Sequence, residues 1–362
     1  MGNLGLLASS TSLLLAATLA SLPGTAAAAP RDDETGAADG WDVTVVDPDQ
    51  SFRGLDAVNR KVAWASGGSL SGGPGKVYRT TDGGETWEDV SPPGTEGLSL
   101  RDVEARNAST AVVLSIGEGE ASRIYRTTDG GTTWTESFRN QDEAAFYNCL
   151  DFYPGGKRGL AVSDPVDGKF RIAATDDRGR TWQVLPDDGM PDSTGEYNFS
   201  ASGDCLVIAG RTAWFGSGGA DARVFRSTDR GHTWSATSST LPAGEAAGVF
   251  ALAFRTPRHG VAVGGDFAAP ADGTDASAYT KNGRTWTNGG DLTHLAEDAA
   301  WLRGTRPAVL VVGEGGTIGG TSLSTDAGRT WQLVSEERFH TLDCTPQKVC
   351  WAAGGEGRVA RW

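Results

Sequence analysis

One phrase, Ser/Thr-x-Asp-x-Gly-x-Thr-Trp, recurs in phase along this chain and limits its fold more than any other feature. Intact copies run Thr80–Trp87, Thr127–Trp134, Thr175–Trp182, Ser227–Trp234 and Ser324–Trp331, with their acids at Asp82, Asp129, Asp177, Asp229 and Asp326. A copy one residue shorter, Thr280–Trp286, carries Asn282 in the acid's place. The closing tryptophans Trp87, Trp134, Trp182, Trp234, Trp286 and Trp331 are spaced 47, 48, 52, 52 and 45 positions apart. Such a period marks a repeat architecture. The phrase also explains itself as turn chemistry. A carboxylate accepts backbone N–H groups in a tight turn, and the hydroxyl two residues earlier adds a second side-chain bond. The glycine tolerates positive φ, and the indole then buries a large ring under the hairpin. These twelve residues are therefore read as structural, not as a row of catalytic or metal-binding acids. Asn282 fits that reading, because an amide keeps the acceptor oxygen without the charge.

Each copy follows a short strand such as Lys76-Val77-Tyr78-Arg79 or Arg123-Ile124-Tyr125-Arg126, with two further strands upstream. With the strand after each tryptophan, every unit supplies about four antiparallel strands, which is the pattern of a propeller blade. Six units end in the phrase. A seventh begins at Phe339-His340-Thr341-Leu342 and stops at Trp362 one strand short. The segment Trp41–Val46 can supply that strand and close the ring, removing exposed edges. The expectation is an all-β fold, a single seven-bladed β-propeller over 41–362 whose N-terminal strand completes the last blade.

Upstream, Leu4 to Leu22 is apolar and is followed by small residues, so 1–28 reads as a signal peptide cut before Ala29. A retained anchor is the alternative, and 29–40 reads as a disordered spacer. The expected location is secreted, with no stable membrane span after cleavage. A net charge of −14 repels a phosphate backbone, so nucleic acid is excluded as a partner. A protein or a glycan remains, and the chain is expected to be a monomer.

Four cysteines in an exported chain suggest two disulfides. Cys344 and Cys350 flank a turn and can pair across a hairpin. Cys149 and Cys205 stand at similar places in inner strands of adjacent units, where they can pair between blades or stay as buried thiols.

With these boxes at this spacing, the chain resembles BNR/Asp-box propellers, and the single ring of seven is similar to photosystem II stability/assembly factors and their secreted bacterial relatives. That resemblance implies a binding or assembly scaffold. Sialidases also carry Asp boxes, which makes a glycosyl hydrolase the enzyme alternative. However, Phe52-Arg53-Gly54-Leu55 has Leu where the sialidase Pro would stand, and no third Arg joins Arg53 and Arg101. An oxidoreductase, another name used among such relatives, would need a cofactor. No G-x-G-x-x-G follows a strand, no H-E-x-x-H or C-x-x-C occurs, and no cofactor or metal is expected. No residue is assigned a catalytic role. Function on such a ring is expected in the axial mouth, where alignment of the repeats places Arg53, Arg101, Tyr147, Phe250 and His340.

Overall fold

The computed structural model describes residues 40–304 and 306–362. The expected signal segment 1–28, and the 29–40 spacer apart from Gly40, lie outside the described residues.

Among the described residues the chain is all-β apart from three 3-10 turns. Its strands form seven four-stranded antiparallel units, or blades, named here in chain order by their inner strands: Gln50–Asp56, Ser99–Ala105, Tyr147–Phe152, Leu206–Ala209, Ala247–Thr256, Asp298–Trp301 and Thr341–Cys344. Each inner strand packs against the next, and the seventh packs against the first, so the ring closes. Closure is made by backbone hydrogen bonds between the two ends of the chain in blade 7. There Asp42–Val45 pairs with Arg358–Arg361 in the register Asp42↔Arg361 to Val45↔Arg358, as the strand count required.

In the box of blade 1, Thr86 donates to Asp82 twice, from its backbone N (3.0 Å) and from Oγ1 (2.6 Å). Thr80 Oγ1 donates to the same carboxylate and accepts from Gly84 N at 2.9 Å. Blades 2, 3, 4 and 6 repeat this set. In the short box Asn282 Oδ1 takes the two backbone donors Arg284 N and Thr285 N. Two consecutive residues in each intact box have positive φ, and in three boxes the first of them is not glycine: Arg178, Arg230 and Ala327. The side-chain bonds hold these residues in a region that L-residues avoid.

Three of the tryptophans differ from expectation in reaching across to the preceding blade, whereas Trp182, Trp234 and Trp286 each meet a ring of their own blade, Phe152, Phe215 and Phe254. Trp234 Nε1 also donates to Gly231 O of its own box. Trp87 meets Trp351 of blade 7 edge-on at 5.9 Å, Trp134 Nε1 donates to Val90 O of blade 1, and Trp331 Nε1 donates to Ser277 Oγ of blade 5. Each blade presents one face to its neighbour, so the core divides into seven clusters, each lying between two adjacent blades. Blade 7 has no box, and Trp41 supplies its wedge. The Trp41 ring packs against Phe339 (5.1 Å) and Trp362 (5.0 Å), and its Nε1 donates to Thr321 Oγ1 of blade 6 at 2.9 Å. Trp41→Ala should therefore lower stability by about 3 kcal/mol in urea unfolding, the usual cost of emptying a large aromatic site. A loss below about 1 kcal/mol would show that Trp41 does not hold the seam between blades 6 and 7.

Both disulfides are present. Cys344–Cys350 joins directly opposed residues of blade 7, and Cys149–Cys205 joins blades 3 and 4.

Candidate functional site

Four inner strands break register at the same height, between Phe52 and Gly54, Leu100 and Asp102, Tyr147 and Cys149, and Val249 and Ala251. A β-bulge adds one residue and re-aims its side chain. The extra residues are Arg53, Arg101, Asn148 and Phe250. In blades 6 and 7 the equivalent places, just before the inner strands, hold Glu297 and His340.

These side chains meet around the axis. Arg53 Nη1 lies 2.9 Å from Glu297 Oε1, and His340 Nδ1 lies 2.7 Å from Glu297 Oε2. His340 Nε2 is 3.7 Å from Glu314, which pairs with Arg358 at 2.6 Å. Burial alone would raise the Glu297 carboxyl, but His340 and Arg53 outweigh it and hold the group down at about 2. Arg101 has no carboxylate within ion-pair distance among the described residues. Burial, reinforced by the charge of Arg53, brings its guanidinium down to about 9.

A short plug closes the ring just below this layer. The segment Phe199–Cys205 leaves the rim between blades 3 and 4, crosses the axis and enters the inner strand of blade 4. Its 3-10 turn Gly203–Cys205 touches the inner strands of blades 1, 2, 3 and 5. Arg53 donates to Ala201 O at 2.8 Å and Arg101 to Ser200 O at 3.0 Å. The Cys149–Cys205 bond fixes its far end. Gly203 lies so near Asp102 that a Cβ there would stand 2.7 Å from Oδ1.

Below the plug the axis is lined by carboxylates that tie blade to blade. Asp343 accepts from Ala57 N, Asp56 from Ala105 N, Asp102 from Leu150 N, Asp151 from Ile208 N, and Asp298 from Leu342 N, at 2.5–2.9 Å. Each bond runs to the next blade round the ring. Burial raises all of these acids and also Glu104 and Asp204, and neighbouring carboxylates add to the shift at Asp56, Asp102, Glu104 and Asp204. No three His, Cys, Asp or Glu side chains among the described residues are arranged to hold a metal ion.

Of the residues expected at the mouth, Arg53, Arg101 and His340 come together around Glu297. Phe250 faces the plug, with its ring 5.1 Å from Phe199. Tyr147 lies in the core between blades 2 and 3, because the bulge turns Asn148 to the axis in its place. Sequence reasoning missed Glu297, Glu314 and Arg358, and it missed the whole plug. Beside the plug, on the rim of blades 4 and 5, Phe199 packs edge-on against Phe267 at 6.0 Å. Phe267 is 58% exposed and Tyr197 is 44% exposed.

Residues 78–89, the first box, match the model of the BNR/Asp-box repeat. Solved structures of similar fold include "YCF48 bound to D1 peptide" (15% identity, TM-score 0.60, covering 89% of this chain and 94% of that one). YCF48 from Cyanidioschyzon merolae is also similar (17% identity, TM-score 0.57, covering 88% and 98%). The chain is an Asp-box β-propeller. A streptogramin B lyase shares the fold as well, at 12% identity, TM-score 0.60 and coverage of 89% and 97%. Among proteins of curated function no sequence match is found. Identities this low carry the fold and not the activity.

Proposed function

We propose that this propeller is a non-enzymatic binding scaffold, acting outside the membrane, that takes a protein segment at the mouth above the plug. The observation that carries this reading is the combination at the mouth. Two arginines and a histidine stand around the axis, and Tyr197, Phe199 and Phe267 lie beside them, two of the three exposed. Arg and aromatic side chains on a rigid frame are the usual anchors of protein recognition. The similar structure carrying a peptide supports the same ligand class. Two disulfides suit an oxidising compartment, in keeping with the signal segment read at 1–28. No helix among the described residues is long and apolar enough to cross a membrane.

The glycosidase alternative needs one carboxylic acid kept protonated as a general acid. Glu297 is pressed the other way, by His340 and Arg53, so it does not supply that acid.

The test is affinity capture from the exported fraction, followed by a binding titration with each captured protein. Tyr197→Ala with Phe267→Ala should weaken the genuine partner by at least tenfold, the size expected of hot-spot aromatics. The variant's melting temperature should stay within a few degrees of the parent's, since both rings are exposed. Unchanged affinity for every captured protein would overturn the site assignment.

A further inference from the structure

A second cleft opens on the opposite, Asp-box end of the ring, between blades 3 and 4. It has a volume of about 580 Å³ and is lined by Tyr153, Lys157, Arg158, Arg211, Arg230 and His232. A space of that size suits a small molecule.

Comparison with the neighbouring junction shows how the cleft arises. Between blades 2 and 3, Arg106 Nη1 donates to Gly155 O at 2.6 Å and Arg126 Nε donates to Arg178 O at 2.8 Å. These two guanidiniums tie the blades together, and the space left there is only about 40 Å³. One blade further on, strand register puts Tyr153 at the place of Arg106 and Ala174 at the place of Arg126. Both bridges are lost and the gap stays open. The buried hydroxyl of Tyr153, a lining residue, has no hydrogen-bond partner among the described residues.

The charge in this gap is unusual for a chain of net −14. Lys157, Arg158, Arg211 and Arg230 have no carboxylate within 4.0 Å among the described residues, whereas the cations at the mouth are largely paired. Asp229, the acid in the lining, has both oxygens bonded inside its own box, to Ser227 and Thr233. Asp176 lies at the outer extension of the cleft. Four cations lining one cleft without a carboxylate partner among the described residues, with an orphan hydroxyl beside them, match a compact polyanionic ligand. Guanidinium forks match phosphate oxygens in particular. A long polyanion is disfavoured, because its outer charges would meet the acidic surface.

We infer that this cleft binds a small diphosphate-bearing molecule. The site is separate from the mouth and does not depend on the scaffold reading.

The experiment is calorimetric titration of the full chain with pyrophosphate, orthophosphate and citrate at low and at physiological salt. Pyrophosphate should bind most tightly. Lys157→Gln with Arg211→Gln should weaken it at least tenfold; both side chains are exposed, so the fold should hold. Ala174→Arg is the decisive variant. It restores one of the two missing bridges and narrows the cleft from its outer extension, so it should also weaken pyrophosphate at least tenfold although it adds a positive charge. Tighter or unchanged binding by Ala174→Arg would reduce the effect to general surface charge and overturn the proposal. Citrate binding as tightly as pyrophosphate, or no binding of pyrophosphate at all, would overturn it too.

Discussion

Replacing both Cys149 and Cys205 by serine is expected to lower the stability of this propeller by about 4 kcal/mol, since the bond closes a long loop in the unfolded chain. The two residues are 56 positions apart, and the same reasoning gives only about 2 kcal/mol for Cys344–Cys350, separated by 6. The difference between the pairs is the sharper part of the expectation, because all four cysteines are buried. The long bridge also fixes one end of the axial plug, while Arg53 and Arg101 hold its middle through two carbonyls. Its loss should therefore speed amide hydrogen exchange in 199–205 before it affects the box hairpins. Urea unfolding of the two double-serine variants under non-reducing conditions checks the energies. Equal losses for the two pairs would contradict this account.

The ring was legible because its signals are local. Each Asp box carries acceptor, hydroxyl, glycine and indole within eight residues, and turn chemistry of that kind survives in sequence. The closure by Trp41–Val46 followed from counting strands. What lies on the axis was harder to see. The bulge in blade 3 shifts alternation by one residue, so alignment pointed to Tyr147 where the structure uses Asn148. Sequence period cannot reveal a bulge, since the residues on either side keep their own alternation. The plug is irregular backbone without a repeating pattern, and only Cys205 hinted at its anchoring. The axial acids did leave a signal that was not used. Leu55-Asp56, Leu150-Asp151 and Leu342-Asp343 repeat one dipeptide at the end of three inner strands, in each case with the aspartate bonded to the next blade.

Those acids lead to the second large expectation, that the protein is more stable at pH 5.5 than at pH 8. Burial pushes Asp151 and Asp298 up to about 7, and raises Asp56, Asp102, Glu104, Asp204 and Asp343 in the same direction. In the unfolded chain these groups ionise near their ordinary values of 3.8 for Asp and 4.5 for Glu. Between that range and about 7 the folded state binds more protons than the unfolded one. Stability then falls as pH rises, by about 1.4 kcal/mol per pH unit for each extra proton retained. Glu297 does not offset this, because a carboxyl held at about 2 loses its contribution only in strong acid. His294 works in the opposite sense, since burial lowers it from 6.5, but it is one group against several. Asp151→Asn isolates the effect. The amide oxygen can still accept from Ile208 N, and no charge develops at high pH. This variant should be more stable than the parent at pH 8, and its pH dependence should be shallower. Urea midpoints measured from pH 5.5 to 8 decide the matter. A midpoint that climbs with pH in the parent, or an Asp151→Asn profile parallel to it, would show that the axial carboxylates are ionised in the folded ring.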